Sequence, residues 1–80
     1  MHELGIMYHI VDRVLDVVKA NAFTEVEAIV LNVGEQSGVV PQYLHACYPA
    51  AVSGTMLENT SLKVEAVSGT EFVIKEIHAR

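Results

Sequence analysis

Apolar residues recur at three- and four-residue intervals over the first twenty positions. Leu4, Met7, Ile10, Val11, Val14, Leu15 and Val18 form one stripe, and Tyr8, His9, Asp12, Arg13, Asp16 and Lys19 fall mostly opposite. That period predicts an amphipathic helix from Leu4 to about Ala20, with Asn21 as its terminator. The period then shortens to two. Glu25 to Val33 predicts a strand in which Ile29, Leu31 and Val33 alternate with Ala28, Val30 and Asn32. Both sets are largely apolar, which implies partial cover on each face. Gly34-Glu35-Gln36-Ser37-Gly38 breaks the pattern as a loop, its glycines permitting backbone angles that branched residues resist. Val40-Pro41 then opens a second helix, since Pro41 suits a first turn and Val40 is biased to extended backbone. Leu44, Cys47, Tyr48 and Ala51 share one face of it. Pro49 removes a backbone donor and crowds the carbonyl of His45, so a kink or early fraying is predicted before Ser53-Gly54 ends the segment.

The last quarter alternates again. Ser61 to Val67 puts Leu62, Val64 and Ala66 inward and Lys63 and Glu65 outward. Ser68-Gly69 suits a hairpin turn, and Thr70 to Ile77 is the return strand with Phe72 and Ile74 inward. Ile77 breaks that parity, which predicts a bulge or a strand leaving the sheet. The order α-β-α-β-β predicts an α+β domain, a small three-stranded β-sheet packed against two α-helices on one face. With 80 residues, residues 1–80 are read as a single domain without internal repeats.

Composition narrows the function. The net charge is −5, and the five basic residues, Arg13, Lys19, Lys63, Lys75 and Arg80, are scattered. This argues against a nucleic-acid or anionic-membrane surface. The start lacks the blocks of a secretion signal and no apolar run is long enough to span a bilayer, so the cytoplasm is the expected location. Cys47 is the single cysteine. It excludes an internal disulfide and a multi-cysteine zinc cage, and it reads most simply as a small core residue.

The candidate chemistry lies at the start. Met1, His2 and Glu3 place a terminal amine, two backbone amides and an imidazole within three residues. His2 also disfavours removal of the initiator Met, which keeps that amine in place. Four nitrogens in a plane suit Ni(II) or Cu(II) better than Zn(II), whereas Mg(II) and Ca(II) prefer oxygen. Every one of these donors must lose or lack a proton, so binding strengthens with pH. A Met-His start alone is ordinarily a solvated terminus, and the rest of the chain has to carry the case. Met7 reads as core, and His9 as a solvated face residue. The glutamates and histidines, His45 and His78 included, form no acid–base or nucleophile arrangement, so an enzyme is not expected.

Met1-His2-Glu3-Leu4, the block Gly34-Glu35-Gln36-Ser37-Gly38-Val39-Val40-Pro41, Gly54-Thr55 and the closing Glu71-Phe72-Val73-Ile74-Lys75-Glu76-Ile77 together resemble the HypA/HybF nickel metallochaperones of hydrogenase maturation. The resemblance covers almost the whole chain in order. It implies a nickel site made by the amine of Met1, the amide and imidazole of His2 and the amide of Glu3. It also implies work with a nickel-delivery GTPase and a hydrogenase large subunit, or urease in some organisms. Members of that family carry a zinc module with two Cys-x-x-Cys pairs between the last two strands. Here Val67-Ser68-Gly69-Thr70 closes that gap, so no structural zinc is expected. For the side chain of Glu3, tuning the site or touching a partner stands against simple stabilisation of the helix start. The alternative function is a non-metal interaction module that dimerises or swaps domains through the sheet face carrying Ala28 and Val30, or through open strand edges.

Overall fold

The computed structural model describes residues 2–80. The chain folds as α1 (Glu3–Asn21), β1 (Val26–Gly34), α2 (Pro41–Val52), β2 (Ser61–Val67) and β3 (Phe72–Ala79). This is the predicted α+β order, two helices and a three-stranded sheet.

The sheet is not built by a hairpin. Its order is β2-β1-β3, with β2 parallel and β3 antiparallel to β1. Parallel β1 and β2 need a crossover, and α2 provides it. The strand richest in apolar residues on both faces takes the centre, where both faces are covered. Residues 68–71 therefore do not turn back on β2. They pass over the end of β1 to its far side, and backbone bonds fasten them there: Gly34 N to Glu71 O at 2.6 Å, Glu35 N to Val67 O at 2.8 Å and Gln36 N to Gly69 O at 2.8 Å. A Cβ on Gly34 would run into Gly69 O and lie 2.8 Å from Glu71 N. Gly34 is thus required for space, whereas Gly38, at φ 82°, is required for its backbone angle.

Ile29, Leu31 and Val33 face the helices and pack with Met7, Val14, Leu44 and Leu57, all nearly or fully buried. The opposite face bears no helix, yet Ala28 and Val30 are only 7% and 4% exposed. Their neighbours on the edge strands are Ser61 and His78, and Lys63 and Glu76. Lys75 of β3 meets Glu65 of β2 at 2.9 Å, reaching over the central strand. Long charged side chains lay their stems on apolar surface in this way. The sheet face expected to be open for association is therefore covered within the chain. Of the two alternatives at Ile77, a bulge or a strand leaving the sheet, the bulge is the one present: Val30 pairs with Glu76 and Leu31 with Ile74, leaving Lys75 as the extra residue. Leu62 and Val64 are half-buried as expected, but Ala66 is exposed.

Helix ends differ from the sequence reading. Asn21 is the last helical residue of α1. The left-handed cap is Ala22 (φ 54°, ψ 37°), and Phe23 N returns to Val18 O at 3.0 Å. The helix α2 does not fray at Pro49 but continues to Val52, because Ala51 and Val52 are buried in the core. After it, the Tyr48 hydroxyl donates to Thr60 O at 2.9 Å and the Thr60 hydroxyl donates to Val26 O at 2.7 Å. This buried chain of bonds ties α2 to the start of β1. Burial raises the Tyr48 hydroxyl to a pKa of about 12, since the phenolate would be poorly solvated there.

Candidate metal centre

Met1 lies outside the described residues. His2 is exposed and forms the N-cap of α1, with φ −97° and ψ 70°. Its side chain makes no capping bond, so the imidazole is not committed to the helix start. The first helical bond runs from Ile6 N to His2 O at 3.1 Å. The amides of His2 and Glu3 precede it and are among the donors a helix start leaves without an internal partner. Both nitrogens that the donor set requires are consequently free of the helix ladder.

Glu3 differs from expectation. Its side chain is only 5% exposed, whereas Leu4, expected in the core stripe, is 43% exposed. The helical period explains the exchange, because Glu3, Met7, Ile10 and Val14 are spaced four, three and four apart and share the buried face. The Glu3 carboxylate accepts from Val40 N at 3.4 Å. Val40 is the N-cap of α2 and has no side-chain cap, so the carboxylate sits at the start of both helices, where their dipoles favour negative charge. Glu3 therefore faces inward and stabilises the helix starts. The local cause at Val40 is Pro41, which fixes the helix start and leaves the preceding amide to find another partner. Sequence reasoning missed this contact. The only signals were the i, i+4 relation of Glu3 to Met7 and the Val-Pro pair.

The other candidates are not gathered at this site. Met7 is fully buried and serves the core. Cys47 is half-buried on α2 and His45 is exposed on the same helix. His78 pairs with Glu76, Nε2 to Oε1 at 2.6 Å, on β3. That contact holds the Glu76 carboxyl below its ordinary pKa. His9 lines a groove between α1 and β3 with Arg13. Among the described residues no three His, Cys, Asp or Glu side chains are placed to hold a metal. Ligation at this end would therefore have to draw on backbone nitrogens and the His2 ring rather than on a cluster of side chains. That donor set is compatible with a helix start, because two deprotonated amides neutralise a divalent ion and leave no net charge to oppose the dipole.

Residues 1–72 match the family described as hydrogenase/urease nickel incorporation, metallochaperone, HypA. The hydrogenase maturation factor HypA of Streptomyces avermitilis is 39% identical over 70 residues, which cover 86% of this chain and 53% of that protein. The protein of the same description from Deinococcus radiodurans is 36% identical over 69 residues, 86% of this chain and 58% of its own length. This chain thus spans little more than half of those relatives. The solution structure of the nickel metallochaperone HypA from Helicobacter pylori shares the fold, with a TM-score of 0.75 at 13% identity over 95% of this chain and 72% of that one.

Proposed function

Because the chain belongs to the HypA family of nickel-incorporation metallochaperones, we propose that it holds one Ni(II) ion at its N-terminus for delivery in hydrogenase or urease maturation. The ligands are the amine of Met1, the amide nitrogen and imidazole of His2 and the amide nitrogen of Glu3. One observation carries this reading: the His2 ring makes no capping bond, and the two amides precede the first bond of the helix ladder. The buried Glu3 side chain supports it by holding the ligand arm against α2. An exposed plane of four nitrogens leaves both axial directions open, which suits transfer by ligand exchange. The partners are a nickel-delivery GTPase and the hydrogenase large subunit.

Interaction through the sheet has less support on the face of Ala28 and Val30, both buried. Among the described residues the outer edges of β2 and β3 are unpaired, and self-association would act there. The test is a Ni(II) titration followed by absorption. The intact chain gives a planar diamagnetic spectrum at one ion per chain. Acetylating the amine, or replacing His2→Ala, abolishes it without unfolding. Unaltered uptake in both overturns the site.

A further inference from the structure

A groove of about 330 Å³ runs between α1 and β3, lined by His9, Ile10 and Arg13 of the helix and Phe72, Val73 and Ile74 of the strand. His9 and Arg13 are four residues apart and so lie one above the other on a single flank of α1. The chain is acidic overall, and two of its five cations are held in ion pairs. Lys75 pairs with Glu65, and Arg80 with Glu25 and Glu27. Arg13 makes no ion pair among the described residues, although Asp12 and Asp16 lie within a turn of it. An unpaired guanidinium and an imidazole thus stand over an otherwise apolar groove.

The other wall is an edge strand. Among the described residues the β3 strand pairs with β1 on one side and with nothing on the other. Side chains of a strand added there would alternate, one set pointing to the helix side as Phe72 and Ile74 do, the other lying beside Val73, which is 44% exposed. The helix-side set would enter the groove beneath His9 and Arg13. Of this wall, Phe72 is the last residue of the stretch matched to the family, and Val73 and Ile74 lie beyond it.

We propose that this groove binds an extended acidic segment of a partner protein, which adds to the free edge of β3 and places a carboxylate against Arg13 and His9. Main-chain bonds to β3 supply affinity, and the Arg13 guanidinium, with the His9 ring beside it as a hydrogen-bonding group, selects acidic side chains on the helix-side positions. The site is separate from the nickel ligands and needs no metal.

The experiment uses the metal-free, amine-acetylated protein, so its result does not depend on the nickel reading. ¹⁵N-labelled protein is titrated with a capped peptide of about eight residues alternating valine and glutamate. Shifts are expected at His9, Arg13 and residues 72–74, together with slowed amide exchange in β3. The charge reversal Arg13→Glu weakens binding by about tenfold or more, and Arg13→Gln, which keeps the stem, by less. Lys19→Glu, with the same charge change elsewhere on α1, shifts affinity no more than about twofold. Three results overturn the proposal: no localised shifts, equal binding of a valine–lysine peptide, or affinity unchanged in Arg13→Glu. Binding of free acetate as tight as the peptide also overturns it, by reducing the groove to an anion pocket without strand addition.

Discussion

The carboxylate of Glu3 lies 3.4 Å from the amide nitrogen of Val40, so the first residue of one helix is tied to the residue that opens the other. The contact joins the candidate ligand arm to a loop more than thirty residues away. It gives the side chain of Glu3 a structural task while its backbone nitrogen remains available for metal.

Replacing Glu3→Ala removes that tie and leaves the Val40 amide unsatisfied in a half-buried place. We expect a loss of about 1–2 kcal/mol in urea unfolding, with Glu3→Gln losing less because its amide oxygen still accepts. Both variants keep the four nitrogens proposed for nickel. A stability equal to the parent in Glu3→Ala would show the 3.4 Å contact contributes nothing.

Gly34 and Gly54 offer a matched pair. At Gly34 an added Cβ meets the backbone of residues 69–71, and Gly34→Ala should cost about 3 kcal/mol as the crossing connection is pushed off β1. At Gly54 an added Cβ meets nothing within 4 Å and the positive φ of 78° is what is at stake, so Gly54→Ala should cost about 1 kcal/mol. Equal costs by chemical denaturation would contradict the spatial argument at Gly34.

Ala22 occupies a left-handed backbone conformation at the end of α1. Ala22→Gly removes the steric penalty of its Cβ and should stabilise the fold by about 0.5–1 kcal/mol. A lowered melting temperature would count against this cap assignment.

Tyr48 makes stability depend on alkaline pH. Its pKa is about 12 in the fold against 10.0 ordinarily, so the protonated form is favoured by folding. That contribution is complete below pH 10 and is lost as pH rises towards 12, roughly 1–2 kcal/mol in all. Tyr48→Phe should flatten its share of the decline. At neutral pH the same variant loses about 1 kcal/mol with the bond to Thr60 O. Parallel pH curves for parent and variant would refute the assignment.

Nickel affinity should climb by at least about tenfold per pH unit between pH 6 and 8, because the imidazole, the amine and two amides must be deprotonated together. Competition against a chelator of known proton dependence reads this directly. A flat profile would exclude ligation through the amides.

Local chemistry made much of this protein legible in its sequence. Periods of three-to-four and two residues located both helices and all three strands. Pro41 set the start of α2, the off-parity Ile77 announced a bulge, and the nitrogen donors of Met1, His2 and Glu3 are covalent facts of the chain. Strand order was not legible, because Ser68-Gly69 is compatible with a hairpin when only neighbours along the chain are considered. Tertiary packing decided it: β1, apolar on both faces, is best buried between two partners, and the link to β3 crosses at Gly34, where a side chain would block it. The inward turn of Glu3, the cover over Ala28 and Val30 and the groove beneath Arg13 arise likewise from residues far apart in sequence, whose meeting no local pattern encodes.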